Sequence, residues 1–256
     1  MTESAAFERI GAGSGQKNGL LFICDHASNR LPQAYGSLGL QASLLATHIA
    51  FDIGAADVTR ALASGFHAPA VLASWSRLLV DLNRGADDPT LVMKLSDGSI
   101  IPGNASADAA EIDKRIRNFH APYHAAIDAE IAAMDGVPML ISIHSFTPVW
   151  KGRPRPWQFG VLWDRDARLA GPLIHHLAEA GFTVGDNEPY SGELENDTLY
   201  RHATMAGLPH VLIEIRQDLI ATPVAARETA AMLQPILQKA LQDMGSPGVK
   251  FTRPRK

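Results

Sequence analysis

The stretch LLFICDH, residues 20–26, decides the fold class, because a short apolar run ends directly in two polar residues. The apolar part covers residues 20–24 and has polar or glycine residues on both sides. An apolar run of this length between such breaks is typical of a buried strand rather than a helix. We therefore predict a strand whose carboxyl end presents His26.

Two later apolar runs share this design. The run PMLISI, residues 138–143, leads into His144-Ser145, and the run HVLIEI, residues 210–215, carries Glu214. Between the runs, apolar residues recur at helical spacing in segments 108–134, 165–180 and 223–241. Strands that alternate with helices predict an α/β fold, with a mainly parallel or mixed sheet covered by helices on both faces.

Polar side chains that follow the strands of such a sheet collect at one edge, where open α/β sheets place their sites. We predict a further strand at 78–82, which leads into Asn83 and Arg84. A helix is predicted over 40–63, carrying Asp52. The polar, glycine-rich segment 85–106 is expected to be a long loop that borders the site.

Length and composition bound the domain organisation and the class of partner. The chain has 256 residues, of which 46% are hydrophobic and 20% charged, enough for one full core. We expect a single domain over residues 1–256, with residues 1–17 and 246–256 as loosely ordered tails. A formal charge of -4 without a long block of like charges argues against a nucleic acid partner.

The sequence also bears on compartment and membranes. A single cysteine, Cys24, cannot form an internal disulfide, which removes support for an oxidising compartment. The amino terminus lacks a basic start followed by an apolar run, and no stretch approaches the roughly eighteen apolar residues of a membrane-spanning helix. We therefore expect a cytoplasmic protein with no membrane partner, while the oligomeric state is not indicated.

His26 and His144 are suitable metal ligands at two predicted strand ends. A catalytic zinc ion is typically held by three protein ligands, with one position open for water. A single histidine after a strand is more often structural, and neither residue belongs to a short zinc signature such as His-Glu-x-x-His. The spacing alone therefore leaves both the metal and the structural interpretation open.

Glu214 interrupts an apolar run, where a carboxylate is costly to bury without a partner. One interpretation is a buried ion pair with a nearby arginine such as Arg216. The other is a general base whose proton affinity is tuned for catalysis. Its position at the predicted sheet edge favours the general base.

Arg84 offers a planar guanidinium suited to a substrate carboxylate, and Asn83 beside it can donate to the same group. The alternative is that Arg84 only pairs with Asp87 or Asp88. Tyr190 is a further candidate, which either closes over a substrate or packs against the protein.

Four segments together carry a resemblance to a known family. They are DHASNRLP at 25–32, HIAFDIGA at 48–55, SRLLVDLNR at 76–84 and IEIRQD at 213–218. In this order, with YH at 123–124, IHS at 143–145, WDRD at 163–166 and NEPY at 187–190 between them, they resemble the N-formylglutamate amidohydrolase family. The similarity extends from about residue 20 to residue 220.

That family is in turn similar to zinc carboxypeptidases and aspartoacylase-like deacylases. The resemblance implies a zinc carboxypeptidase-like α/β fold, of the phosphorylase/hydrolase-like type. It places His26 and His144 on one zinc ion, Asn83 and Arg84 on a substrate carboxylate, and Glu214 in the role of general base. The implied substrate is a small N-acyl amino acid, with N-formylglutamate as the compound that the family name suggests.

The chain departs from this pattern at residue 29, where Asn29 stands in place of a glutamate ligand. An amide oxygen is a weak zinc ligand, so either Asn29 binds loosely or another carboxylate completes the site. Asp52 is our candidate, although it is equally placed to pair with His48 on a helix. We predict that Asp52, rather than Asn29, completes the metal site.

The implied mechanism is metal-assisted hydrolysis of a linear amide. Zinc acidifies a water molecule, Glu214 takes its proton and passes it to the leaving amine, and Arg77 or Arg216 helps to hold the developing oxyanion. Two alternatives remain open from the sequence. One is a carboxypeptidase-like or peptidoglycan-peptide amidase with the same metal site, and the other is a non-catalytic small-molecule-binding protein on the same fold.

Overall fold

The structure is a computed structural model that describes residues 5–11 and 19–244. The strands are β1 (Phe7–Ile10), β2 (Leu20–Cys24), β3 (Ala70–Ala73), β4 (Leu95–Ser96), β5 (Ser99–Ile100), β6 (Met139–Phe146), β7 (Val149–Trp150), β8 (Arg153–Pro154), β9 (Phe159–Leu162), β10 (Val184–Asp186) and β11 (His210–Arg216). The helices are α1 (Ala42–Leu45), α2 (Ala55–Phe66), α3 (Pro102–Ala105), α4 (Ala109–Arg115), α5 (Ala121–Ala132), α6 (Ala170–Glu179) and α7 (Pro223–Asp243).

Seven of these strands form the main sheet, in the order β1-β3-β2-β6-β11-β9-β10. The four central strands, β3, β2, β6 and β11, run parallel to one another. At one edge β1 pairs antiparallel with β3, and at the other β9 pairs antiparallel with β11 and parallel with β10. The mixed sheet predicted from the sequence is confirmed.

Alternate residues of the central strands point to opposite faces, and each face is covered by helices. Phe22, Ile143 and Ile213 pack with apolar residues of α2, α6 and α7 on one face. Leu21, Leu140 and Leu212 face the other side, where α5 packs with the buried segment that follows β3. Because both faces are buried, the strands have continuous apolar sequences rather than alternating ones. No helix within the described residues is both long and apolar enough to cross a bilayer.

The predicted helix over 40–63 is wrong in its middle. It is divided into α1 and α2 by an irregular segment that contains Asp52. Gly54 allows this break, since it has φ 79° and a Cβ atom there would lie 2.1 Å from the Ile220 carbonyl oxygen. His48, in the same segment, has its Nε2 3.2 Å from Asp97 Oδ2. The alternative pairing of Asp52 with His48 on one helix is therefore not formed.

Two other expectations need correction. Residues 78–82 are buried but form turns and irregular backbone rather than a strand. Segment 85–106 is not a structureless loop, because it contains the β4–β5 hairpin and α3.

The expectation of a loose amino-terminal tail fails for residues 7–10, which pair with β3 as strand β1. Ile10 and Phe7 of this short strand pack against the apolar cores on the two faces of the sheet, which stabilises it. Of the two expected tails, residues 1–4, 12–17 and 246–256 lie outside the described residues.

Candidate active site

The carboxyl ends of β2, β6 and β11 bring the predicted site residues together. His26 follows β2, His144 lies on β6, and Glu214 lies directly opposite His144 in the parallel pairing of β11 with β6. All three side chains are buried, with exposures of 2%, 3% and 6%. Because β2, β6 and β11 are neighbours in the sheet, three reactive groups from distant segments of the chain lie together at the carboxyl ends of these strands.

Asp52 lies between the two histidines. Its Oδ2 is 2.9 Å from His144 Nδ1 and 3.4 Å from His26 Nδ1. The backbone N–H of Asp52 donates to the His26 carbonyl oxygen at 2.9 Å, which ties the irregular segment to the end of β2. One ligand atom from each of these three residues lies within 4.8 Å of the others, a spacing compatible with one metal ion.

Two further carboxylates orient the rings from behind. His26 Nε2 lies 2.7 Å from Asp81 Oδ1, and His144 Nε2 lies 3.0 Å from Asp25 Oδ2. When each Nε2–H donates to its carboxylate, both Nδ1 atoms are left with lone pairs that face Asp52. Metal-bound histidines usually have such a carboxylate on the second ring nitrogen.

The donor set fits a metal ion by its chemistry as well as by its spacing. His26 Nδ1 is buried and has no hydrogen-bond partner among the described residues. A buried ring nitrogen without a partner is costly, and a metal bond would satisfy it. Two imidazole nitrogens and one carboxylate oxygen are typical of catalytic zinc sites, which keep a fourth position open.

The electrostatics of this group favour a bound positive charge. Burial alone would raise the pKa of Asp52, but the neighbouring His26 and His144 hold it below its usual range. Burial would likewise raise the pKa of Asp25, and the hydrogen bond from His144 lowers it instead. The same two carboxylates raise the pKa of His144 well above its usual value, although burial opposes them.

No cation of the described residues lies within ion-pair distance of the Glu214 carboxyl group, although Glu214 is buried. Its Oε2 is buried and has no hydrogen-bond partner within the described chain. Burial raises its pKa to about 7, with a contribution from Asp52 that His144 opposes. Arg216 instead pairs with Asp218 at 2.7 Å, so the predicted alternative of a Glu214–Arg216 ion pair is not formed.

The candidate residues surround a cavity of about 250 Å³. Those of the predicted site residues that line it are His26, Asp52, Arg77, Asn83, Arg84, His144, Tyr190 and Glu214. Arg84 donates to the Asn83 carbonyl oxygen at 2.8 Å and has its Nε 3.9 Å from Asp88 Oδ2, so the Asp88 pairing considered above is present only as a long contact.

Asn29 and Arg216 are not among the residues that line the cavity. The amide N–H of the Asn29 side chain donates to the Leu45 carbonyl oxygen at 2.9 Å. Arg216 is held by Asp218 and donates to the carbonyl oxygens of segment 155–157. These contacts hold the Arg216 guanidinium at the end of β11.

Arg77 lines the cavity but is committed to carboxylates. Its Nη2 donates to Asp81 Oδ2 at 2.7 Å, and its Nη1 lies 3.7 Å from Asp52 Oδ1. This geometry neutralises the acid that orients His26 and leaves Arg77 little freedom to turn toward a ligand.

The sequence reasoning missed the supporting carboxylates Asp25 and Asp81. Asp25 accepts from Thr198, Tyr123 and Ser142 in addition to its contact with His144. A signal was available, because Asp25 directly precedes His26 and Asp81 lies two residues before Asn83. The function of the two acids follows only from the structure, in which Asp81 contacts the His26 ring and Asp25 contacts the His144 ring.

A chain of three buried histidines supports the segment that holds Arg84. His120 Nε2 lies 2.9 Å from the Arg84 carbonyl oxygen and 3.1 Å from His124 Nε2. His124 Nδ1 lies 2.8 Å from His202 Nε2, and His202 Nδ1 lies 2.8 Å from Asp128 Oδ1. Burial lowers the pKa of all three rings, that of His124 to about 2, so they are neutral at neutral pH.

Comparison with solved structures shows relatives of the whole fold. The gene product Atu2144 from Agrobacterium tumefaciens is 38% identical, with a TM-score of 0.88 over 94% of this chain and 96% of that one. N-formylglutamate amidohydrolase from Ralstonia eutropha JMP134 is 23% identical, with a TM-score of 0.66 over 93% of this chain and 97% of that one. A search of curated protein sequences gave no match.

A family model adds the assignment that these structures alone do not supply. The model of the N-formylglutamate amidohydrolases matches residues 18–221, a span that contains every residue of the cavity described above. The resemblance seen in the sequence is thereby confirmed, and the chain belongs to the N-formylglutamate amidohydrolase family.

Proposed function

We propose that the protein is a zinc-dependent amidohydrolase that cleaves the amide bond of a small N-acyl amino acid. N-formylglutamate is the substrate that the family suggests and the first to test. The observation that carries the proposal is the convergence of His26, Asp52 and His144 beside the unpaired carboxylate of Glu214. Family membership supports the reaction class, and the donor set supports the metal.

His26 and His144 would hold the ion through their Nδ1 atoms and Asp52 through Oδ2, with Asp81 and Asp25 fixing the two rings. Nitrogen ligands favour zinc over magnesium or calcium, which prefer oxygen. When bound, zinc supplies a Lewis acid that lowers the pKa of water and polarises the substrate carbonyl.

Glu214 is the proposed general base. Its pKa of about 7 lets its carboxylate accept a proton from the attacking water near neutral pH. The same carboxyl group can then donate that proton to the leaving amine nitrogen as the carbon–nitrogen bond breaks. Burial of the carboxyl group, with no competing hydrogen bond to Oε2, keeps it available for both transfers.

Arg84 and Asn83 are proposed to bind the carboxylate of the amino acid product half. Arg84 lies at the cavity wall, and its backbone is held by His120 through the Arg84 carbonyl oxygen. A planar guanidinium can donate two parallel N–H hydrogen bonds to the two oxygens of a carboxylate, which positions the scissile amide. Arg84→Lys should therefore chiefly raise KM.

The test is a panel of N-formyl, N-acetyl and longer N-acyl amino acids, incubated with zinc-loaded protein while released amine is measured. Glu214→Gln should lower kcat by roughly a hundredfold or more while metal and substrate still bind. Glu228→Gln, an exposed change on α7, is the matched control and should leave kcat unchanged. Binding without turnover across the panel would overturn the proposal in favour of a non-catalytic binding protein.

A further inference from the structure

Arg155 is a mostly buried arginine that packs behind the cavity wall and is not itself among the residues that line the cavity. It follows the β7–β8 hairpin, and only 8% of the residue is exposed. Its guanidinium carbon lies 5.6, 5.2 and 5.1 Å from the ring centroids of Phe146, Trp150 and Tyr190. Rings on several sides hold the guanidinium plane in a fixed position.

No carboxylate of the described residues pairs with this cation. Nη1 donates to the Thr147 carbonyl oxygen and hydroxyl, both at 3.3 Å, and to the Tyr190 hydroxyl at 3.2 Å. These partners are neutral, and the described chain provides no hydrogen bond for Nε or Nη2. By contrast, Arg115, with 2% exposure, has Glu111 at 2.8 Å. Nε and Nη2 of Arg155 are not among the fully buried side-chain atoms that lack a partner, so this edge of the guanidinium keeps solvent contact, and an external anion would supply the missing counter-ion.

The neighbours of Arg155 belong to the catalytic cavity. Phe146, Thr147 and Tyr190 all line it, and Phe146 lies on β6 two residues beyond His144. Burial is the main cause that raises the pKa of Tyr190, Glu214 adds to it, and Arg155 opposes it. Arg155 therefore contacts the cavity wall directly, through the Phe146 ring, Thr147 and the Tyr190 hydroxyl.

The other arginines considered for anion binding are less free. Arg77 is bound to Asp81 and lies near Asp52, and Arg216 is bound to Asp218. Arg84 is left for one carboxylate at the cavity wall. A substrate with a second carboxylate needs a second cation, and Arg155 meets this need.

We propose that Arg155 is a specificity-determining residue, whose free guanidinium edge binds the second carboxylate of a dicarboxylic N-acyl amino acid. This inference rests on the proposed function and assigns its selectivity to one residue. Tyr190 would be held in place by Arg155 and would close the same subsite. A substrate with a neutral side chain of equal size, such as a carboxamide, would leave the guanidinium charge without a counter-ion.

The experiment compares an acid with its isosteric amide in two independent measurements. Calorimetry measures the Kd of L-glutamate and of L-glutamine, which are product-like probes that need no turnover. Kinetics measures kcat/KM for N-formyl-L-glutamate and N-formyl-L-glutamine. The variants are Arg155→Gln and Arg155→Lys, and Arg153→Gln, an exposed arginine of the same hairpin, is the matched control.

Wild type and Arg153→Gln should prefer the acid by roughly tenfold or more in both measurements, and Arg155→Gln should lose that preference by weakening the acid alone. Arg155→Lys keeps the charge without the planar fork and should give an intermediate preference, which tests the inference even if Arg155→Gln does not fold. Equal binding of acid and amide by wild type, or an equal loss for both in the variants, would overturn the inference. If glutamate binding depends on Arg155 but neither N-formyl compound is hydrolysed, the proposed function fails and the subsite stands.

Discussion

Two groups of buried histidines lie in this molecule, and they differ in what surrounds the rings. His26 and His144 are flanked by Asp25, Asp52 and Asp81, all of which are buried. The three rings at 120, 124 and 202 are bonded mainly to one another, and their chain ends at Asp128, whose side chain is 60% exposed. Both groups consist of histidines, but only the rings of the first group are surrounded by buried carboxylates.

This difference explains why only the first group is a candidate metal centre. Carboxylates behind the rings direct both Nδ1 lone pairs toward one point, where Asp52 adds a negative charge. In the second group the nitrogens of His124 point in opposite directions, each to a different histidine. Its rings serve as neutral hydrogen-bonding groups that hold the Arg84 backbone.

The largest expected effect comes from removing a ring of the first group. His144→Ala removes one proposed ligand and leaves Asp25 and Asp52 as buried carboxylates without that partner. We expect loss of bound zinc by elemental analysis and loss of activity to background. His124→Ala is the matched change in the second group and should retain the metal. Stoichiometric zinc in His144→Ala would contradict the difference drawn between the two groups.

A smaller effect is expected from the carboxylate behind that ring. Asp25→Asn keeps an oxygen for Thr198 and Tyr123 but replaces the anion that holds His144 Nε2. Such outer partners typically contribute about 10- to 100-fold to metal affinity. Competition with a chelator measures this change. Unaltered zinc affinity would show that Asp25 serves the core rather than the metal centre.

The second group should make folding stability depend on pH. Burial holds the pKa of His124 at about 2, whereas a histidine in the unfolded chain has a pKa of about 6.5. The unfolded chain therefore binds the extra proton below about pH 6.5, and stability falls as pH drops. From pH 7 to pH 5 this residue alone should reduce the free energy of unfolding by about 2 kcal/mol.

Urea unfolding of wild type and His124→Gln at both pH values measures this effect, because contributions from the metal centre are common to both proteins. Because glutamine does not titrate, the free energy of unfolding of His124→Gln should fall by about 2 kcal/mol less than that of wild type between pH 7 and pH 5. Parallel stability curves for the two proteins would indicate that His124 is already protonated, or accessible to solvent, in the folded state.

The smallest effect concerns Asn29, which the resemblance to zinc carboxypeptidases places at the position of a glutamate ligand. Asn29→Ala removes one hydrogen bond to the Leu45 carbonyl oxygen, which costs about 1 kcal/mol of stability. Zinc content and kcat should stay at wild-type levels, whereas Asp52→Ala should lose the metal. A large drop in zinc affinity for Asn29→Ala would return Asn29 to the ligand set.

Much of the fold was predictable because strand signals are local. The apolar runs at 20–24 and 210–215 correspond to β2 and β11. His26 and Glu214 lie at the carboxyl ends of these two strands. The predicted strand at 78–82 is wrong, since a buried loop and a buried strand can have the same apolar residues.

The sequence by itself determined the central strands β2, β6 and β11 and the polar residues at their ends, since apolar runs and their breaks are read within a few residues. Only the tertiary structure decided that Asp52 meets His144 across 92 residues, that Arg216 is paired with Asp218, and that Arg155 is not paired with a carboxylate. A side chain's partner depends on which distant segments pack together. The break at Gly54, which brings Asp52 to the site, depends on contact with Ile220 and leaves no local pattern in the sequence.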